Sequence, residues 1–280
     1  MKIKITSDST CDLSAEQIAR HDICILPLAV EMGGENYRDG VNVKPDDLYA
    51  HVAAGGGLPK TAANNIADYK DVFDRYTGEY DAVIHLNISA DFSSCYQNAC
   101  LAAEDYENVY VVDSRNLSTG HGLLVLKAAE LAAQGMDAAE IVDILRETAN
   151  RVDASFILDQ LEYLRMGGRC SAVAVLGANL LKLKPCIEVK DGKMGVGKKY
   201  RGSYEKAMTD YITDRLSGVE GFDTDRVFVT HSGVAQELLD AAVEQVRQLC
   251  SVKEICVTRA GCTVSSHCGP GTMGVLFIRK

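Results

Sequence analysis

The segment K-I-K-I-T-S-D-S-T-C-D-L-S, residues 2–14, sets the pattern on which the fold depends. We predict a β-strand at Lys2–Thr6, followed by a polar loop that begins with S-D-S-T. Ser14 is a good N-cap residue, so we predict that it begins a short helix ending near His21. A strand, a polar loop and a helix form the repeating unit of α/β proteins, and the segment therefore indicates a fold of that class.

The same alternation continues through the first half of the chain. We predict strands at Asp81–Ile88, at Val109–Asp113 and at Ile23–Val30, where Pro27 indicates a strand pair or a sheet edge. The predicted helices are Asp46–Ala54, Asp68–Tyr76, Ser94–Asp105, Ser118–Gln134 and Asp137–Val152. This order predicts a mainly parallel, helix-covered sheet, with ligands approaching the carboxyl ends of the strands.

The second half predicts another α/β domain, with a mixed sheet. Cys186–Val196 contains the D-G turn signal of a β-hairpin. The other predicted elements are short strands at Ser155–Asp159, Arg226–Thr230, Glu254–Thr258 and Gly274–Ile278, and helices at Leu161–Arg169, Tyr204–Leu216 and Ala235–Leu249. We place the domain boundary near residues 150–155, which divides the chain into residues 1–152 and 153–280.

Composition excludes several classes of function. The net charge is −10, which makes a general nucleic-acid surface unfavourable, although a local site for a small anion is compatible with it. The ten cysteines are scattered, without C-x-x-C or a secretion signal, and predict reduced core thiols in a cytoplasmic protein. The six histidines have no ligand-spaced neighbours, which argues against a metal site, and no apolar run reaches the length of a membrane span.

Three apparent catalytic motifs do not survive closer inspection. G-P-G-T-M-G at 269–274 matches a dinucleotide fingerprint, but a strand follows it instead of a helix. G-G-G-L-P-K-T at 55–61 has Pro59 where a phosphate loop needs an N–H donor. S-Y-E-K at 203–206 is better explained as a helix N-cap. An autonomous enzyme is therefore disfavoured, although a catalytic triad can assemble from distant residues.

Polar residues in three loops suggest an anion site. Thr61 follows Pro59 in a glycine-bounded loop, Ser93 precedes a predicted helix, and His267 precedes a glycine-rich turn. Together their neutral donors and the helix start would suit a carboxylate or a phosphate. Each residue alone has an ordinary structural explanation: a loop residue, a helix cap and a core histidine.

A set of motifs in family order resembles the DegV family of fatty-acid-binding proteins. The motifs extend over nearly the whole chain: T-S-D-S-T-C-D-L (6–13), Y-R-D-G (37–40), P-K-T (59–61), I-S-A-D-F-S-S-C-Y-Q-N-A (88–99), V-V-D-S (111–114), Y-L-R-M-G-G-R-C-S (163–171), L-K-L-K-P-C-I (181–187) and H-C-G-P-G-T-M-G (267–274). The resemblance implies two α/β domains, with a ligand tunnel at or near their junction.

The resemblance also implies a function. The protein would bind a long-chain fatty acid, without any cofactor, and present it to a separate fatty acid kinase that makes an acyl phosphate for phospholipid synthesis. It would then be a carrier and not the catalyst. By position, Thr61 and Ser93 match the residues that hold the carboxylate, His267 lies beside the head group, and Arg169 lies near the same end. Further backbone contacts to the head group are expected from three residues: Ser94, Gly269 and Gly271.

The sequence departs from the family pattern at several positions, and alternatives stay open. Ala62–Asn65, Ala90, Ser94 and Cys95 replace the usual residues, which bears on loop shape and acyl preference. One alternative is a free-standing enzyme on acyl or phospho substrates that uses Ser93 or Cys95 with His267. Another is a sensor of a different small anion.

Three further segments have two interpretations each. Residues 172–181 and 122–129 would line an acyl tunnel or pack in an ordinary core. The basic segment K-K-Y-R at 198–201 would dock a kinase or form a solvated hairpin edge. The cluster at 266–274 is predicted to be a head-group loop, with a tight turn into the last strand as its alternative.

Overall fold

Three β-sheets organise the computed structural model, which describes residues 1–171, 183–217, 221–223 and 225–280. The strands of the described residues are β1 (Ile3–Asp8), β2 (Cys24–Leu26), β3 (Ala29–Met32), β4 (Glu35–Arg38), β5 (Lys60–Ala62), β6 (Ala82–Asn87), β7 (Val109–Asp113), β8 (Val152–Ile157), β9 (Leu183–Lys190), β10 (Lys193–Arg201), β11 (Arg226–Ser232), β12 (Glu254–Arg259) and β13 (Thr272–Ile278).

Helices cover these sheets. The α-helices of the described residues are α1 (Ala15–Arg20), α2 (Pro45–Ala53), α3 (Ile66–Thr77), α4 (Cys95–Ala103), α5 (Ser118–Ala133), α6 (Ala138–Ala149), α7 (Glu162–Gly167), α8 (Tyr204–Leu216), α9 (Gln236–Leu249) and α10 (Cys262–Cys268). Across these described ranges, none of the helices combines the length and the apolar character needed to cross a membrane.

The sheets confirm the predicted fold class. The first is fully parallel, with the order β2-β1-β6-β7, and the second is a mixed six-stranded sheet with the order β10-β9-β8-β13-β11-β12. In the mixed sheet only β11 and β12 run parallel. A small antiparallel sheet of order β4-β3-β5 lies apart from both. Sheet membership changes between α6, which ends at Ala149, and β8, which begins at Val152, and the boundary between residues 152 and 153 stays a prediction.

Local signals explain the ends of several elements. Ser14 caps α1, and its hydroxyl and the Gln17 side chain form a reciprocal capping box, as the sequence predicts. The predicted D-G turn joins β9 to β10, with Asp191 and Gly192 both at positive φ. Helix α7 ends at Gly168, which adopts a left-handed φ of 69°. These elements are determined largely by their own residues.

Other predicted elements differ from the structure. Pro27 and Leu28 divide the predicted strand Ile23–Val30 into β2 and β3, which belong to different sheets, because proline cannot continue a ladder of hydrogen bonds. The predicted helix Asp137–Val152 ends earlier, at Ala149, and Val152 already belongs to β8. The sequence did not predict β4, β5 or α10. The tunnel interpretation of residues 172–181 lies outside the described residues.

The predicted head-group loop at 266–274 is wrong in its extent. Ser266–Cys268 form the last turn of α10, and Thr272 begins β13, so the loop is only Gly269–Gly271. The tunnel interpretation of residues 122–129 is also wrong. They lie in α5, which packs in the main core against both larger sheets, and none of them lines the pocket described below.

Eight of the ten cysteines are buried, as expected for small core side chains.

Tyr211, on α8, is the polar anchor of the second domain, because its hydroxyl lies in the core with no exposure. The hydroxyl donates to the Ser155 carbonyl at 2.8 Å and accepts from the Val275 amide at 2.9 Å. It therefore ties α8 to β8 and β13.

We expect Tyr211→Phe to lower the free energy of unfolding by about 1–3 kcal/mol, because it leaves the buried Val275 amide without its acceptor. Urea denaturation followed by circular dichroism measures this change. Tyr37→Phe is the matched control, since within the described residues the Tyr37 hydroxyl makes no hydrogen bond. Equal stability of the two variants would contradict the anchoring role of Tyr211.

Candidate functional site

A pocket lies between the two halves of the chain. It contains about 910 Å³ of empty space, including its opening to solvent. The first half contributes apolar side chains such as Leu28, Ile88 and Phe92, and the second half contributes others such as Phe156, Leu164 and Leu276. Because both halves form its walls, the pocket exists only when they are packed together.

Thr61 and His267 meet in this pocket. The Thr61 hydroxyl lies 2.8 Å from Nε2 of His267, although the two residues are 206 positions apart in the chain. Thr61 lies in the middle of β5, and His267 lies in the last turn of α10. The structure therefore brings together two of the residues that the sequence predicts for one site.

The His267 imidazole is neutral at pH 7. Burial of the ring and, to a smaller extent, the positive charge of Arg169 lower the pKa of His267 to about 4. A neutral ring donates or accepts one hydrogen bond at Nε2 according to its tautomer. His267 therefore offers a hydrogen bond to a ligand, and Arg169 supplies the full positive charge nearby.

Arg169 is exposed but still lines the pocket, which places it at the pocket mouth. Its Nη1 donates to the Gly167 carbonyl at 2.8 Å. In the described parts of the chain, no carboxylate lies within ion-pair distance of this guanidinium. The pocket mouth therefore carries a cation that is not neutralised, beside two neutral hydrogen-bonding groups.

Ser93 lines the same pocket, one residue before the N-cap of α4. Its hydroxyl accepts from the Cys95 amide at 3.3 Å and donates to Cys95 Sγ at 3.1 Å. The helix start that the sequence predicts is therefore present, and Ser93 occupies one of its free amides. Ser94 is the N-cap residue, but it is exposed and is not among the residues that line the pocket.

Gly269 and Gly271 lie in the turn after α10, and the pocket lining does not include them. Both have a φ of 73°, which glycine adopts without strain. A Cβ atom at Gly269 would lie 2.6 Å from the Tyr163 ring, and one at Gly271 would lie 2.9 Å from Asp159 Cβ. In this structure the two glycines allow the turn to pack against neighbouring protein, and their contact with a head group stays a prediction.

Two aspartates that sequence reasoning missed hold the amino end of α10. The Asp39 carboxylate accepts from the amides of Cys262 at 2.7 Å and Thr263 at 3.0 Å. Asp12 accepts from the Gly261 amide at 2.8 Å. Hydrogen-bond acceptors at a helix amino end are favourable, because the first amides have no partner within the helix. The D-S-T-C-D and Y-R-D-G motifs contain these residues, but only the fold reveals what they contact.

The environment of Asp12 differs from that of a surface carboxylate. Burial, the largest influence, raises the pKa of Asp12 to about 8, although hydrogen bonds from the Ser118 hydroxyl and the Gly261 amide oppose the change. Ser118 also lines the pocket, and its hydroxyl donates to Asp12 at 2.5 Å. The aspartate therefore links the helix that carries His267 to the wall of the pocket.

Taken together, two α/β halves that enclose an apolar pocket with a polar mouth define a small-molecule-binding protein. The chain belongs to the DegV family, because a sequence model described as "Uncharacterised protein, DegV family" matches residues 2–280. A DegV domain-containing protein of Clostridium acetobutylicum is 34% identical over 100% of this chain and 99% of its own length.

Solved structures agree with this assignment. A DegV family protein from Thermus thermophilus, which is described as fatty-acid-binding, is 31% identical with a TM-score of 0.92. The match covers 100% of both chains. A stearic-acid-binding protein from Eubacterium ventriosum is 28% identical with a TM-score of 0.86, and the match covers 99% of this chain and 98% of that one. The described fold is therefore the fold of the fatty-acid-binding DegV proteins.

We expect Arg169→Gln to raise the pKa of His267 above about 4, because it removes the nearby positive charge that disfavours the imidazolium. Titration of the His267 ring by nitrogen-detected NMR on the ligand-free protein measures this pKa. The folded pKa lies below the usual value of about 6.5. The stability that neutral His267 contributes is therefore complete above about pH 6.5 and is lost as the pH falls through about 4.

Arg165→Gln is the matched control, since Arg165 is exposed on α7 and does not line the pocket. An unchanged or lower His267 pKa in Arg169→Gln would contradict the electrostatic link between these residues.

Proposed function

We propose that this protein binds a long-chain fatty acid in the pocket between its two halves. Thr61, Ser93, His267 and Arg169 bind the carboxylate, and the apolar walls bury the acyl chain. One observation supports this function most directly. At the mouth of an apolar pocket, the hydrogen-bonded pair of Thr61 and His267 lies beside Arg169, which has no ion-pair partner among the described residues. Related DegV proteins that are described as fatty-acid-binding support it as well.

The chemistry of the pocket suits a monocarboxylic acid. Burying a sixteen-carbon chain at about 0.8 kcal/mol per methylene gives roughly 12 kcal/mol before losses of motion are counted. The head group therefore needs contacts that orient it and that keep its charge from being stranded in apolar surroundings. One cation at the mouth and several neutral donors inside meet that need without a strong, buried ion pair.

The geometry gives less support to a free-standing enzyme. Over the part of the chain that the structure describes, His267 contacts Thr61 and neither Ser93 nor Cys95, so neither of the two nucleophiles considered for this alternative has the histidine as its base. Burial raises the pKa of Cys95 to about 11, which keeps it a thiol at pH 7. Ser93 is engaged with the start of α4.

We further propose that the bound acid is presented to a separate fatty acid kinase, which would make this protein a carrier and not the phosphoryl-transfer catalyst. The segment K-K-Y-R at 198–201 lies on β10, at one edge of the mixed sheet. Lys198 pairs with Asp214 at 2.5 Å, and Tyr200 is buried. Lys199 and Arg201 are exposed and, within the described residues, have no ion pair, so they are the side chains that would meet an acidic partner.

Native mass spectrometry of the purified protein, followed by extraction and lipid analysis, tests the first proposal. We expect a stoichiometric adduct that extracts as a free fatty acid. Thr61→Val should weaken the binding of added fatty acid by about ten-fold, since one hydrogen bond to a charged group contributes about 1.5 kcal/mol or more. Thr61→Ser keeps the hydroxyl and is the control. An empty protein that takes up no fatty acid would refute fatty-acid binding.

Charge reversal tests the second proposal. Lys199→Glu with Arg201→Glu should lower the rate of acyl-phosphate formation by an ATP-dependent fatty acid kinase at least several-fold, because like charges then face the partner. Fatty-acid affinity should not change. The control reverses two exposed lysines away from β10: Lys44, which precedes α2, and Lys253, which precedes β12 and pairs with Asp225. Full kinase turnover with the double variant would rule out residues 198–201 as the docking segment.

A further inference from the structure

Besides the residues proposed to bind the head group, the pocket contains a second group of polar atoms. The side-chain atoms Thr263 Oγ1 and His231 Nδ1 are buried and, among the residues that the structure describes, have no hydrogen-bond partner. Both residues line the same pocket as Thr61 and His267. Buried polar atoms without partners are unfavourable, and each one in a folded protein calls for an explanation.

The neighbouring hydroxyls of the pocket already have partners. Thr230 bonds Thr119 at 2.6 Å and Thr258 at 3.0 Å, and Ser232 bonds Ser265 at 2.9 Å. Thr263 differs from them, because it is only 5% exposed and its hydroxyl is unpaired. Unsatisfied buried atoms are therefore confined to particular residues of this wall: Thr263, His231 and the head-group residue His267, whose Nδ1 also has no partner among the described residues.

The position of Thr263 relative to the head group follows from helix geometry. Thr263 and His267 are four residues apart on α10, so their side chains project from the same face, and about 6 Å of helix axis separates them. Val264 and Cys268 complete the face of α10 that lines the pocket. Thr263 thus lies one helical turn beyond the head-group histidine, where an acyl chain would pass.

The charge around these atoms favours a neutral ligand group. Burial, together with the charge of Arg259, lowers the pKa of His231, so its ring is neutral at pH 7. Arg259 is itself occupied by an ion pair with Asp46, with an Nη1–Oδ2 distance of 2.9 Å. A hydroxyl and a neutral imidazole can donate to and accept from an uncharged oxygen, but they would not neutralise a second carboxylate.

We infer that the pocket selects fatty acids that carry an uncharged oxygen, a hydroxyl or an oxo group, on the acyl chain, and that Thr263 and His231 bind this oxygen. This inference rests on the proposed fatty-acid binding and specifies its ligand class. A plain alkyl chain would cover both polar atoms and leave them unpaired. An oxygenated chain would satisfy them and keep the same contacts with the apolar walls.

Binding of stearate and of three hydroxystearates to the delipidated protein tests the inference. The three isomers differ in the position of the hydroxyl: one carries it near the carboxylate, one in the middle of the chain and one near the methyl end. Displacement of a fluorescent fatty acid gives the affinities. We expect at least one hydroxystearate to bind about ten-fold more tightly than stearate, and Thr263→Val to abolish this preference while stearate still binds.

Thr272→Val is the matched control. Thr272 lines the same pocket, but its hydroxyl already donates to the Cys268 carbonyl at 2.8 Å, so the preference should persist in this variant. If stearate binds the native protein as tightly as every hydroxystearate, the inference is overturned, and this comparison needs no variant to fold. If the preference survives Thr263→Val, the assignment to Thr263 is overturned. If no fatty acid binds, the proposed function itself fails, and the inference fails with it.

Discussion

The attachment of α10 to two buried aspartates is the interaction on which the site depends. A helix of seven residues satisfies few of its own amides, so its orientation is decided by whatever receives the others. Asp39 and Asp12 receive three of them in succession, from Gly261 to Thr263. Both carboxylates come from the first half of the chain, whereas the helix belongs to the second. The opposite half of the molecule therefore determines the positions of His267, Thr263 and the pocket wall between them.

The polar groups of the pocket are largely neutral for the same physical reason that the pocket is apolar. Its walls are mostly apolar, and a charged side chain buried among them without a partner would be strongly unfavourable. The protein keeps His267 and His231 uncharged through burial and nearby arginines, and it leaves its full positive charge on Arg169 at the mouth. An anionic ligand group is consequently best stabilised at the entrance, and uncharged groups are best stabilised further inside.

The sequence predicts well those elements whose signals are local. Ser14 and Gln17 form the capping box of α1 on their own, and the predicted bounds of β7 and α8 agree with the structure. Short elements were missed, because β4, β5 and α10 are stabilised mainly by contacts with distant residues. The bond between Thr61 and His267 could be anticipated only as a shared site. The two α10 amides that donate to Asp39 lie more than 220 positions away along the chain, and no local pattern indicates them.

The Thr61 hydroxyl and Nε2 of His267 satisfy each other by a hydrogen bond within the pocket. A carboxylate that binds as we propose would exchange one hydrogen bond for another, so the free energy gained at the head group would be only the difference between the two. Such an exchange would separate two tasks: the acyl chain would supply the strength of binding, and the head group would set the ease of release. In the carrier function that we propose, the reactive end of the ligand would be the end that is held least tightly.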